Sequence, residues 1–225
     1  MRHTALTMLA EFAGTALLVC VVVGSGIMGD VLSGNDGVAL LINTLSTVFA
    51  LALLIFVLMP VSGAHFNPAV SITSFITRDM PFLRLLGYIV AQVAGAIAGA
   101  IVANIMFDLP AVTFATHERV TFGTLLGEVI ATAGLIGLIG VLARRRQLTW
   151  IPIAVAAWIA SAAFFTSSAS FANPAVTIGR MFTDTFAGIA PASVLPYVAA
   201  QLIGALLGLG LVRVIPEKRV VPSRT

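Results

Sequence analysis

Ser62-Gly63-Ala64-His65-Phe66-Asn67-Pro68-Ala69-Val70 returns in the second half of the chain as Ser170-Phe171-Ala172-Asn173-Pro174-Ala175-Val176. In each copy an uncharged, hydrogen-bonding Asn stands directly before a proline. Asn accepts from the free N–H groups of a helix start, and proline fits the first turn because its missing N–H would be unpaired there in any case. Each copy therefore predicts the N-terminus of a short helix, from Asn67 to near 77 and from Asn173 to near 183. About three turns is too short to cross a bilayer.

The surroundings say where these short helices lie. Of 225 residues, 59% are hydrophobic and 9% charged, too few polar side chains to cover a soluble globule. The apolar runs predict spanning helices near 7–28, 38–59, 84–106, 122–143, 149–167 and 192–214, each closing its backbone hydrogen bonds internally. The fold class is thus an all-α membrane protein, with six transmembrane helices and two re-entrant half-helices in a single domain over 1–225. Turn-rich sequence from Gly29 to Gly37 separates the first two spans, and 108–121 reads as a longer polar loop with His117, Glu118 and Arg119. The first apolar run is too long for the core of a signal peptide and is expected to be retained. Cys20, the single cysteine, sits inside that run as a packed hydrophobe.

Arg2, Arg78, Arg84, Arg144, Arg145, Arg146, Arg213, Lys218, Arg219 and Arg224 fall on one side of this six-span arrangement. Arg119 lies opposite, with Asp30, Asp36, Asp108, Glu118 and Asp184. The basic side is expected to be cytoplasmic, with both termini there. The high pI is a topology signal and implies no nucleic-acid partner.

The duplication extends past the two boxes. Tyr88 to Gly95 matches Tyr197 to Gly204, and Ala10-Glu11-Phe12-Ala13-Gly14-Thr15 has a weaker counterpart in Gly127-Glu128-Val129-Ile130-Ala131-Thr132. Repeats of about 1–110 and 118–225 hold three spans each. Three is odd, so the second repeat enters from the opposite face, and the half-helices meet N-terminus to N-terminus near the midplane.

Two positive helix ends converging on one point form a barrier to cations. Asn67 and Asn173 can cap those ends and also turn side-chain NH2 groups to the lumen. The irregular backbone before each cap, Gly63-Ala64-His65 and Ala169-Ser170-Phe171, carries carbonyls that lipid cannot satisfy, so they are expected to line water. Glu11 and Glu128 are intramembrane carboxylates, read either as proton relays or as braces accepting from the loop backbone. His65 is a lumen-lining residue: no second ligand stands at metal spacing.

Both Asn-Pro-Ala boxes (Asn67, Pro68, Ala69 and Asn173, Pro174, Ala175), the Ala10-Glu11-Phe12-x-Gly14-Thr15 signature and the paired Gln92 and Gln201 resemble the aquaporins, the major intrinsic protein family. The resemblance covers the whole chain. It implies a homotetramer with one pore per subunit and the brace role for Glu11 and Glu128. The sequence holds no nucleophile-base pair or metal-ligand cluster, so no enzymatic activity, cofactor or metal is expected.

The chain departs from the family at the filter. Where most aquaporins carry an arginine directly after the second box, this sequence has Val176. A gapless count back from each Asn puts the other three filter positions at Thr47, Ser161 and Ser170. Four small side chains imply a wide aperture. The Val-bearing box resembles a bacterial aquaglyceroporin-like subgroup associated with arsenic resistance, which implies arsenite, methylated arsenicals, glycerol, urea and water as solutes in a bacterial inner membrane. Arg180, one turn beyond Val176, either lines the outer vestibule or is an interfacial residue that snorkels to the surface or pairs with Asp184. The rival readings are a mainly water-selective aquaporin and a coupled secondary transporter, for which Glu11 and Glu128 would be the coupling groups.

Overall fold

The computed structural model describes residues 2–215, and the side chains of 4–215. Lys218, Arg219 and Arg224 lie outside the described residues, as does the side chain of Arg2. Within them the chain forms α1 (Arg2–Ser33), α2 (Asp36–Ser62), α3 (Pro68–Ile76), α4 (Phe82–Met106), α5 (Phe122–Arg144), α6 (Ile151–Phe165), α7 (Pro174–Gly179) and α8 (Pro191–Val214), with 3-10 turns at Leu148–Trp150 and Arg180–Phe182. Six helices are long and apolar enough to cross a membrane, α6 counted with the turn before it. The two that are not, α3 and α7, start at the prolines of the two boxes.

Two boundaries differ from the sequence expectation for physical reasons. The Gly29 region is not a turn: α1 continues to Ser33, and Gly29 is a contact residue, since a Cβ there would sit 2.8 Å from the Ala39 Cα. The connection is only Gly34, at φ +54°, and Asn35, whose side chain caps α2 by accepting from the Gly37 and Val38 N–H groups. The second short helix is also tighter than expected. Its α-helical part ends at Gly179, and the chain finishes the turn as 3-10 helix through Phe182.

Two helix pairs stand in equivalent relation, α1 against α4 and α5 against α8, and α1 also packs closely on α2. Small residues make this possible. A Cβ on Gly95 or Gly99 of α4 would lie 2.4 Å from the Phe12 carbonyl or 2.1 Å from the Ala16 carbonyl of α1. On α8, Gly204 and Gly208 stand in the same relation to the Val129 and Ala133 carbonyls of α5, both at 2.5 Å. Two Gly-x-x-x-Gly pairs thus bring backbones into direct contact, where packing replaces the hydrophobic drive that lipid cannot supply. The outward faces carry exposed Phe49, Leu53, Phe56 and Val90, an apolar surface suited to hydrocarbon or to neighbouring subunits.

At the end of the molecule bearing Arg180, the 107–121 connection lies along 181–190. Ala115 N donates to Met181 O at 3.0 Å, and Ala190 N donates to His117 O at 2.8 Å. Arg119 locks this strap by donating from Nε to Gly188 O and from Nη2 to Phe186 O.

Candidate functional site

The centre of the molecule is built from two loops that reach their helices through left-handed backbone. Ala64 and Phe66 before α3, and Ala169, Ser170 and Ala172 before α7, have φ between 47° and 57°. Each such non-glycine residue costs about 1–3 kcal/mol unless its surroundings hold it there. A buried carboxylate holds each loop. Glu11 accepts from Ser62 Oγ (2.7 Å), His65 N (3.0 Å), Phe66 N (2.7 Å) and Gln92 Nε2 (2.8 Å). Glu128 accepts from Phe171 N (2.8 Å), Ala172 N (2.8 Å) and Gln201 Nε2 (2.6 Å). Hydrogen bonds to a charged acceptor contribute about 1.5–3 kcal/mol each, enough to offset the loop strain. Each of these hydrogen bonds joins a carboxylate to a loop or to its supporting glutamine, which is the geometry of a brace. Gly14 belongs to the same assembly: a Cβ there would stand 2.1 Å from the Phe66 ring.

Asn67 and Asn173 cap α3 and α7, accepting from Ala69 N at 2.9 Å and Ala175 N at 3.0 Å. Their amide groups do something the sequence did not disclose. Asn67 Nδ2 donates to Ala172 O, and Asn173 Nδ2 donates to Phe66 O, both at 2.8 Å. Each box thereby ties down the loop of the other. One amide hydrogen per Asn is used in this way, and the second has no protein acceptor among the described residues.

Both Asn residues border a cavity of about 410 Å³ that runs from the level of Leu40 and Arg180 to that of Met59 and Leu148. Val22, Leu51, Ile55, Val155 and Ile159 supply apolar walls. Gly63, Ala64 and His65 line it from one loop, and Ala169, Ser170 and Phe171 from the other. The carbonyls of these six residues accept from no donor among the described residues. Acceptors on one side and two amide hydrogens at the middle suit a hydroxylated, uncharged molecule shedding its water stepwise. A second cavity, of about 580 Å³, adjoins at the opposite end and shares His65, Val70 and Ile139 with the first. His65 Nδ1 is 3.1 Å from Ser71 Oγ, which fixes the ring at this junction.

Of the four filter positions named from the sequence, Thr47, Ser170 and Val176 border the cavity, while Ser161 does not. Ser161 is exposed on the outer face of α6; Ile159 and Ala163 face inward in its stead. The gapless count carried a helix phase across an irregular connection. An error of two residues rotates a helical side chain by about 200°, to the opposite face. The Thr47 and Ser170 hydroxyls have no hydrogen-bond partner among the described residues, and neither does that of Thr44, one turn along α2 on the same wall.

Arg180 is buried and borders the cavity rather than reaching for the surface. Its Nε donates to Ala187 O, and its guanidinium carbon stands 3.5 Å from the centre of the Phe171 ring. The pairing with Asp184 does not form: Asp184 instead accepts from Thr116 N at 2.9 Å and from Thr116 Oγ1 at 3.1 Å.

Six spans, two half-helices meeting cap to cap, and an elongated, largely apolar cavity passing between the caps define a multi-pass membrane channel for small neutral solutes. The family model of the major intrinsic proteins matches residues 2–160 and 143–224, and the chain belongs to that family. It is 44% identical over 206 residues to aquaglyceroporin AqpS of Rhizobium meliloti strain 1021, covering 91% of this chain and 87% of that one. To aquaporin NIP3-1 of Arabidopsis thaliana it is 29% identical over 221 residues, covering 89% of this chain and 64% of the relative. Its fold is similar to the crystal structure of the aquaglyceroporin from Plasmodium falciparum, with a TM-score of 0.71, 19% identity, and 94% and 96% of the two chains covered.

Proposed function

We propose that the protein is a passive pore of the aquaglyceroporin type that conducts arsenite and other uncharged metalloid hydroxides, with methylated arsenicals, glycerol, urea and water as further permeants. The observation that carries this reading is the side chain after the second box. Val176, with Thr47, Ser170 and the inward-facing Ile159 and Ala163, borders the cavity where a family arginine would narrow it. A valine has neither the length nor the charge to reach across, so a solute larger than water has room. The name of the 44% identical relative, an aquaglyceroporin, supports the same direction.

The protein is built of two inverted repeats of about 1–110 and 118–225, assembles as a homotetramer with a pore in each subunit, and sits in a bacterial inner membrane with both termini cytoplasmic. The exposed apolar faces of α2 and α4 support subunit packing, and the bacterial relative supports the location. Glu11 and Glu128 act as braces, which argues against a coupled transporter because no carboxylate borders the cavity between the two boxes among the described residues. Swelling of proteoliposomes in water, glycerol, urea and arsenite gradients tests the reading. Uptake of the larger solutes that does not saturate and ignores a protonophore is the expected result.

A further inference from the structure

The loss of the arginine after the second box leaves an apparent gap in the defence of this pore against cations. Two dipolar helix ends at the midplane resist cations, but the Arg180 end of the cavity is walled by Val176, Ser170, Thr47 and aliphatic side chains. A pore wide enough for a polyol and guarded by dipoles alone would be expected to leak. Arg180 stands at this place.

Its position follows from helix geometry. Arg180 is one turn after Val176 and therefore on the same side of the short helix. Helical side chains lean toward the N-terminus of their helix, so a long residue covers the turn before its own Cα. The Arg180 guanidinium lies on the ring of Phe171, a residue of the loop that leads into the helix.

Two contacts hold the group without neutralising it. Phe171 offers a ring face at 3.5 Å, Ala187 O accepts from Nε, and the ring is itself held edge-on by Tyr197 at 5.3 Å between centroids. The guanidinium of Arg119 lies 5.5 Å from the same ring. No carboxylate pairs with Arg180 among the described residues, and Asp184, the nearest candidate in sequence, is occupied by Thr116. The two terminal nitrogens reach no acceptor among the described residues and are not sealed away, so they present their charge to the cavity that Arg180 borders.

We propose that Arg180 is the charge-bearing specificity residue of this pore: it supplies, from one turn further along and by stacking on Phe171, the cation-repelling charge that Val176 lacks. Phe171 and Ala187 are its positioning residues. The arrangement separates two properties that a single arginine at 176 would combine, since the charge stays at the mouth while the aperture beside Val176 stays wide. This rests on the channel reading above.

The test is parallel measurement of potassium leak and glycerol swelling in proteoliposomes. Arg180→Gln keeps side-chain bulk and removes the charge; leak is expected to rise at least about tenfold, the effect of one unit charge a few ångström from the path in a protein interior, with glycerol swelling retained or faster. Arg180→Lys, charged but without the planar stacking face, falls between the two. Val176→Arg/Arg180→Gln, which moves the charge back one turn, is expected to be ion-tight again and slower for glycerol. Phe171→Leu releases the guanidinium while leaving the Ala187 bond, and raises leak even if Arg180→Gln does not reconstitute. Arg180→Gln or Phe171→Leu liposomes that swell in glycerol and hold potassium as well as the parent overturn the proposal. A parent that does not swell in any solute overturns the channel reading instead.

Discussion

Asn67 and Asn173 hold each other's loops: the amide of each donates to the carbonyl that precedes the other, Ala172 O and Phe66 O, both at 2.8 Å. The midplane is therefore one cross-linked unit rather than two caps placed side by side. Asn67→Ala loses a cap bond and a cross-bond, about 2 kcal/mol in all, and is expected to slow flux by disturbing the opposite loop as well as its own. In a thermal-unfolding cycle, adding Asn173→Ala should cost clearly less than in the parent, because the shared junction is already open. Additive losses would show that the two boxes act independently.

Glu11 accepts four hydrogen bonds, and a glutamine there would aim an NH2 group at two donors. Glu11→Gln should lower stability by about 2–5 kcal/mol, with Glu128→Gln similar. The measurement is the thermal midpoint of the detergent-solubilised protein beside the pH dependence of glycerol flux. The brace account predicts a lower midpoint and the same pH profile; a profile that loses a proton-coupled component would make the carboxylate a relay.

The contact glycines give a mechanical prediction. Gly99→Ala places a methyl carbon 2.1 Å from the Ala16 carbonyl, and Gly208→Ala places one 2.5 Å from that of Ala133. Both obstacles are backbone, so the helices must part, at a cost of about 1–3 kcal/mol or more. Gly210→Ala, with open space at its Cβ, serves as the control on α8 and should leave the midpoint unchanged or raised.

His117, in the 107–121 strap outside the spans, is held below the usual imidazole range, first by the charge of Arg119 and next by burial. The native state therefore binds this proton less readily than the unfolded chain. Stability from this group is present above the ordinary value of about 6.5 and is lost as pH falls below it, levelling off once the native imidazole has also protonated. The thermal midpoint of the parent minus that of His117→Asn should decline only on the acid side; parallel curves from pH 5 to 8 would contradict it.

The sequence disclosed what repeats: the boxes, the Glu11 and Glu128 positions, the glutamine pair and the span count. Each depends on local chemistry, a cap, a proline or a length of apolar chain. It did not disclose the Asn67 to Ala172 bond, because a cross-bond between residues 105 apart has no local signature. Ser161 went wrong because helix phase is lost across an irregular connection. Gly95-x-x-x-Gly99 and Gly204-x-x-x-Gly208 were readable and would have given the helix pairing. Arg180 was ambiguous between mouth and surface, since only the placement of Phe171 and the diversion of Asp184 to Thr116 decide between them.

The most direct test of the wide neutral-solute pore is stopped-flow swelling of proteoliposomes holding the parent or Val176→Arg, with water, glycerol, urea and arsenite compared in one preparation. The account predicts that the parent passes all four and that the variant keeps water while losing most of its glycerol and arsenite flux. A parent that passes water alone, or a variant that passes arsenite as fast as the parent, would contradict it.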